Sequence, residues 1–175
     1  MKFLTIIRHA KSDWGTVKDD FHRTLAQRGR EAAPLMGRRF LREFIEPGRV
    51  SKPDILISSP ATRAITTAKL IAEEIGFSEA EIVKEERIYE ASLQRLLNVI
   101  EEIEDRFEHA VLFGHNPGFE MLADTLAGKS VGDHDGKFPT CGVAIFKVAA
   151  ESWTWLDETF CELVDFLYPR QLPAD

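Results

Sequence analysis

The sequence predicts an α/β fold: a mixed, mostly parallel sheet with helices on both faces. Three observations carry this. Apolar runs of strand length recur at residues 4–8, 55–58, 82–88 and 111–113. Helical patterns alternate with them, as crossover connections require. Two further strand signals, 142–148 and 153–160, are separated only by Ala149-Ala150-Glu151-Ser152. That spacing predicts an antiparallel hairpin, so the sheet is mixed.

The elements follow in order. The first strand, LTIIR, ends abruptly in Arg8-His9, and an irregular stretch runs from 11 to 21. Thr24 and Gln27 have capping-box spacing, which predicts a helix from near Leu25 through Met36 and Phe40 to about Phe44. Pro34 inside it bends that helix or delays its start. After the second strand, Ile65, Ala68, Ile71 and Ile75 form one face of a helix over 62–75, with Gly76 as its stop. The third strand leads to Ser92, a predicted cap. Leu93, Leu96, Leu97, Ile100, Ile103 and Phe107 then make an apolar stripe that reads as core. The fourth strand is followed by Gly114-His115-Asn116-Pro117-Gly118 and a helix whose first turn suits Pro117. Residues 128–139 lack periodicity and are the expected mobile loop. Residues 172–175 read as a loose tail. No repeat or internal boundary interrupts the chain, so residues 1–175 are expected to form a single domain.

Composition narrows the function classes. A net charge of −7 argues against nucleic-acid or anionic-membrane binding, which needs a basic surface. It leaves room for a local cationic pocket. No apolar run approaches the ~20 residues of a membrane span. The first strand starts too near Met1 for a signal peptide, so the expected location is cytoplasmic. Cys141 and Cys161 lack metal-ligand spacing and are expected to be free, buried or half-buried thiols.

The chemistry lies at the strand ends. Ligands of α/β sheets bind beyond the carboxyl ends of the strands. Three ends here deliver basic or imidazole groups: Arg8 with His9, then Arg63 after the second strand, then His115 after the fourth. Arg63 falls in a first helical turn, the wrong place to favour the helix dipole, so a helix-stabilising role does not explain it. Together the four side chains form a phosphate cradle of two guanidiniums and two imidazoles, with one imidazole free to attack.

These residues also carry a resemblance. Arg8-His9-Ala10, the run from Ser59 to Ala68 that fits Ser-x-x-x-Arg-Ala-x-x-Thr-Ala, and Gly114-His115 resemble the ordered motifs of the histidine phosphatase, or phosphoglycerate mutase-like, superfamily. Arg8-His9-Ala10-Lys11-Ser12 and the Arg23-x-Leu25-x-x-x-Gly29 segment are similar to its small SixA-type phosphohistidine phosphatase branch. The resemblance spans residue 4 to about 126. It implies a three-layer α/β/α sandwich with one antiparallel strand. Ala10 stands where the superfamily usually has glycine, which disfavours mutase chemistry more than phosphatase chemistry.

The expected mechanism is two-step phosphoryl transfer through a phosphohistidine on His9. Arg8 and Arg63 grip the phosphate oxygens and disfavour the imidazolium of His9. His115 donates a further hydrogen bond. Many members of the superfamily use a carboxylate to protonate the leaving group, and Glu90 is the expected one, with Asp13 and Asp20 as second choices. Arg23 and Lys11 are expected to contact substrate or support the loop. His22, His109 and His134 match no motif and read as surface or loop histidines. Asp133, His134 and Asp135 resemble a small metal site but read as solvated. No metal and no cofactor are expected, because positioning and charge stabilisation carry phosphoryl transfer.

The expected substrate is a histidine-phosphorylated protein, either a phosphotransfer domain or a phosphocarrier, met by a monomer with an open pocket. The alternatives are a phosphatase of small phosphoesters using the same residues, and a non-catalytic phosphohistidine-binding module.

Overall fold

The computed structural model describes residues 1–15 and 19–169. The expected tail at 172–175 and part of the irregular stretch after His9 lie outside those residues.

Six strands among the described residues form one sheet: β1 (Lys2–Arg8), β2 (Ile55–Ser58), β3 (Val83–Lys84), β4 (His109–Gly114), β5 (Val143–Val148) and β6 (Cys161–Leu167). Their spatial order is β3-β2-β4-β1-β5-β6. Every pairing among β1 to β4 is parallel, while β5 runs antiparallel to both β1 and β6. β5 is therefore the one antiparallel strand, as expected.

Among the described residues, four α-helices cover the sheet: α1 (Gln27–Phe40), α2 (Thr62–Ile75), α3 (Leu93–Glu101) and α4 (Gly118–Ala127). Alternate side chains of each buried strand point to opposite faces. Ile7, Leu56, Val111 and Phe113 pack with Met36, Phe40, Ala68 and Ile71 of α1 and α2. Leu4, Ile6, Ile57 and Leu112 pack with Leu96, Ile100, Phe119 and Leu122 of α3 and α4. Both faces of the central strands are apolar because both are covered. The result is the three-layer α/β/α sandwich.

Several boundaries differ from expectation. The chain paired with β5 is Cys161–Leu167, not 153–160. Trp153 misleads because its burial is tertiary: its indole N–H donates to the Phe107 carbonyl at 3.1 Å and its backbone N–H to Asp105 at 3.1 Å. The third strand shrinks to two residues because the Glu85 side chain accepts from the Arg87 N–H and opens a 3₁₀ turn over Glu86–Ile88. The Thr24 capping box does not form. α1 starts at Gln27 after Ala26, which offers no side-chain cap. Residues 24–26 instead pair with the segment after His9, through Asp13 N–H to the Thr24 carbonyl and Ala26 N–H to the Lys11 carbonyl. α1 passes Pro34 without ending and runs on into a π-helical turn, Leu41–Ile45. α3 ends at Glu101, so Ile103 and Phe107 join the core from beyond it.

Other expectations hold at residue level. α2 spans 62–75 and Gly76 takes the left-handed conformation, φ 73°. Ser92 caps α3 by accepting from the Arg95 N–H at 3.2 Å. Cys141 and Cys161 are buried free thiols. His109, however, is fully buried rather than at the surface. Its Nδ1 donates to the Ser51 carbonyl, so Nε2 accepts from the Thr5 hydroxyl at 2.9 Å. No helix among the described residues is long and apolar enough to cross a membrane.

Candidate active site

Strand register assembles the site. Arg8 pairs with Gly114 across β1 and β4, and Ser58 pairs with Phe113 across β2 and β4. The next residue of each strand then lies at one level. His9 N–H donates to the Gly114 carbonyl at 2.9 Å, and Ser59 N–H to the Phe113 carbonyl at 3.0 Å. The His9 and His115 rings end 5.3 Å apart. Gly114 has no room for a side chain: a Cβ there would strike the Phe119 ring and Ile88. Arg63 enters from the first turn of α2. Thr67, one turn later, accepts from the Ala10 N–H at 3.0 Å and donates to the Arg63 carbonyl at 2.7 Å. One hydroxyl thus ties the helix bearing Arg63 to the backbone next to His9.

His9 is 6% exposed. Its Nδ1 lies 2.7 Å from the Ala10 carbonyl, which can only accept. The proton therefore sits on Nδ1, and Nε2 keeps its lone pair. Burial pushes the His9 imidazole down to about 3, and His115, Arg8 and Arg63 push the same way. Burial, more than the arginines, keeps the ring neutral.

His115 is neutral for the same reason. Burial first, then Arg63, lowers it to about 3. Its Nε2 lies 2.8 Å from the Ser59 hydroxyl, which itself accepts from the Ala61 N–H. The other ring nitrogen is Nδ1. Among the described residues that atom is buried without a partner, as are Arg8 Nε and Arg63 Nε. Unpartnered buried polar atoms are rare, and these three belong to side chains that line one cavity.

Arg8, Arg63, His9 and His115 line one cavity of about 530 Å³. Glu90 lines it too, with its backbone in the left-handed region at φ 54°, which non-glycine residues seldom occupy. Arg23 lines it and also holds the loop, donating to the Ser12 hydroxyl at 3.0 Å and to Asp20 at 2.9 Å. Lys11 does not line it. Its side chain is exposed and borders a neighbouring cavity shared with Arg8, Asn116 and Lys137. Gly29 explains the Arg23–Gly29 spacing, since a Cβ there would strike the Lys11 carbonyl. Asp20 is engaged by Arg63, Arg23 and the Tyr89 hydroxyl. The Tyr89 hydrogen bond, then the Arg63 contacts, hold it down at about 2. It is a carboxylate at neutral pH and has no proton to donate. Asp13 accepts from the Gly15 N–H in a local turn.

Sequence reasoning missed three lining residues: Trp14, Tyr89 and Asn116. An aromatic residue within an irregular stretch beside a candidate nucleophile was the clue available for Trp14. Among the described residues, Asp133, His134 and Asp135 are close enough to share an ion. Asp133 and Asp135 face the neighbouring cavity, not the one lined by His9. The 128–139 loop is anchored at both ends, by Val131 N–H on Asp124 at 2.7 Å and by the Phe138 carbonyl, which accepts from Arg8 and Asn116.

A sequence model of the histidine phosphatase superfamily (branch 1) matches residues 4–111. An uncharacterized protein from Mycobacterium tuberculosis (strain CDC 1551 / Oshkosh) is 32% identical over 170 residues, covering 94% of this chain and 100% of that protein. The chain belongs to the histidine phosphatase superfamily. Its fold matches a candidate SixA phosphohistidine phosphatase from Agrobacterium tumefaciens with a TM-score of 0.77 at 25% identity, over 96% of this chain and 98% of that one. The protein histidine phosphatase SixA, in a tungstate complex, matches with a TM-score of 0.75 over 98% and 99% of the two chains. At 14% identity that second likeness is one of fold. The sandwich is thus phosphoglycerate mutase-like.

Proposed function

We propose that this protein is a phosphohistidine phosphatase that removes phosphate from a histidine-phosphorylated protein. The observation that carries this is the His9 tautomer. A neutral ring, with its Nδ1 proton held by the Ala10 carbonyl, presents an Nε2 lone pair beside two guanidiniums.

In the first step His9 Nε2 attacks phosphorus in line. The new N–P bond forms as the bond to the substrate imidazole breaks, and a substrate ring already protonated on its other nitrogen departs as neutral imidazole. Arg8 and Arg63 stabilise the charge on the equatorial oxygens, and His115 donates a hydrogen bond as a neutral ring. Water then attacks the phosphorylated His9 and releases inorganic phosphate. The guanidiniums supply the charge stabilisation, so these steps draw on no metal. A nitrogen leaving group can arrive protonated, which fits a site whose Asp20 has no proton to give. On this reading the partner is a cytoplasmic phosphotransfer domain or phosphocarrier. The SixA likeness supports that direction.

One feature favours a second reading. Glu90 is held at the cavity in a strained backbone conformation, where it could protonate the alkoxide of a small phosphomonoester.

The test is turnover of a histidine-phosphorylated phosphotransfer domain by wild type, H9A and E90Q, with p-nitrophenyl phosphate and an alkyl phosphate in parallel. The proposal expects loss of protein phosphate with wild type only among wild type and H9A, at far higher efficiency than on either ester. Efficient ester hydrolysis that E90Q lowers by about 100-fold, with no action on the protein, would establish the second reading instead. Phosphate binding that survives in H9A, without turnover of any substrate by wild type, would mark a binding module.

A further inference from the structure

We propose that Trp14 is a specificity residue: the platform on which a flat ring attached to the substrate phosphate stacks. This rests on the phosphatase reading and narrows its substrate to phosphates carried on planar rings.

Trp14 lines the same cavity as His9, Arg8 and Arg63, yet it is 73% exposed. An indole so exposed contributes little to a core, so packing does not explain its place. One of its faces is occupied, with the Arg23 guanidinium 3.6 Å from the ring centroid. Arg23 is itself buried and fixed by the Ser12 hydroxyl and the Asp20 carboxylate. Among the described residues the indole thus rests on a fixed cation and is otherwise largely open to solvent.

The backbone under it is fixed as well. Ser12 bridges Leu25, Asp13 N–H donates to the Thr24 carbonyl at 2.8 Å, and Gly15 N–H donates to the Asp13 carboxylate at 2.8 Å. Tyr89, whose ring meets His115 edge-on at 5.5 Å, supplies a second aromatic wall. A site with cationic donors at its floor and aromatic faces at its mouth recognises a phosphate joined directly to a planar ring. The imidazole of phosphohistidine has that shape. A serine-borne or glycerate-borne phosphate does not.

Phenylphosphonate and methylphosphonate differ only in that ring and are not hydrolysed. Their binding to wild type, W14A and W14F by calorimetry tests the proposal without any turnover. Wild type is expected to bind phenylphosphonate roughly tenfold tighter than methylphosphonate. In W14A that ratio falls towards one, and W14F, which keeps a flat face, holds a ratio above that of W14A. No ring preference in wild type, an unchanged ratio in W14A, an equal weakening of both ligands, or no binding of either overturns it. Loss of the ring preference with phosphohistidine turnover intact sinks the platform alone. An intact preference in a protein that does not hydrolyse phosphohistidine sinks the substrate reading alone. Wild-type turnover of phosphohistidine and phosphotyrosine peptides then tells which ring is seated, and preference for phosphoserine over both overturns the platform.

Discussion

Arg63 is held by Asp20, donating from Nη1 to its carbonyl at 2.6 Å and from Nη2 to its carboxylate at 3.1 Å. The same carboxylate takes Arg23 and the Tyr89 hydroxyl. An anion thus already sits on a cation of the proposed phosphate cradle.

Replacing Asp20 with Asn removes that competing charge. Inorganic phosphate is expected to bind roughly threefold to tenfold tighter to D20N, from the loss of one like charge at this range. Calorimetric titration checks this, and weaker binding would show that Asp20 serves Arg63 chiefly as an anchor. The stability of D20N relative to wild type also depends on pH. Asp20 is lowered from 3.8 to about 2, so its contribution is present above pH 4 and fades as pH falls towards 2. Thermal melts of the two proteins are expected to converge across that window.

His9 is expected to remain neutral well below the ordinary histidine range. Its ring resonances should show no titration near 6.5 and should move only as pH approaches 3. A ring kept neutral in the fold stabilises fully above pH 6.5 and loses that contribution as pH falls from 6.5 towards 3. NMR titration with the H9A spectrum for assignment decides it. A midpoint near 6.5 would contradict the burial argument.

Thr67→Val breaks the link between Ala10 and the Arg63 carbonyl while nearly preserving volume. It leaves the Ala10 N–H buried without a partner, at a cost of about 1–3 kcal/mol. Turnover is expected to fall roughly tenfold, because His9 and Arg63 lose their shared tether. T67S, which keeps the hydroxyl, should retain most of both. Chemical denaturation with a turnover assay separates the two variants.

Gly29→Ala places a methyl against the Lys11 backbone. Overpacking of this kind costs about 1–3 kcal/mol, and here it pushes directly on the segment that carries His9. Denaturant midpoint and turnover are expected to fall together. A fall in stability with full activity would show that the loop yields without moving His9.

What was legible in the sequence had local causes. α2 runs from 62 to 75 because both its apolar stripe and its Gly76 stop are written within it. Arg8, His9, Arg63 and His115 stood out because polar groups ended or followed strands apolar on both faces, and the structure brings them to one cavity. The misplaced elements had distant causes. Trp153 is buried by Asp105 and Phe107, and the chain near Thr24 is drawn towards Lys11 and Asp13 before α1 can begin. The true last strand, CELVDFL, lies at the sheet edge and shifts register between Ile145 and Phe146, which blurs its alternation. Tyr89 and Trp14 reach the pocket by the folding of loops, and no periodicity encodes that.

The central position of β1 has a consequence for synthesis. Leu4 pairs with Ala110 on one side and Phe146 on the other, so both partners emerge from the ribosome long after it does. At ribosomal speed that wait lasts on the order of ten seconds. Throughout it, an apolar strand with two unsatisfied edges trails from the nascent chain. β1 therefore waits unpaired, and His9 acquires its surroundings only once the chain up to Gly114 and Cys141 has emerged.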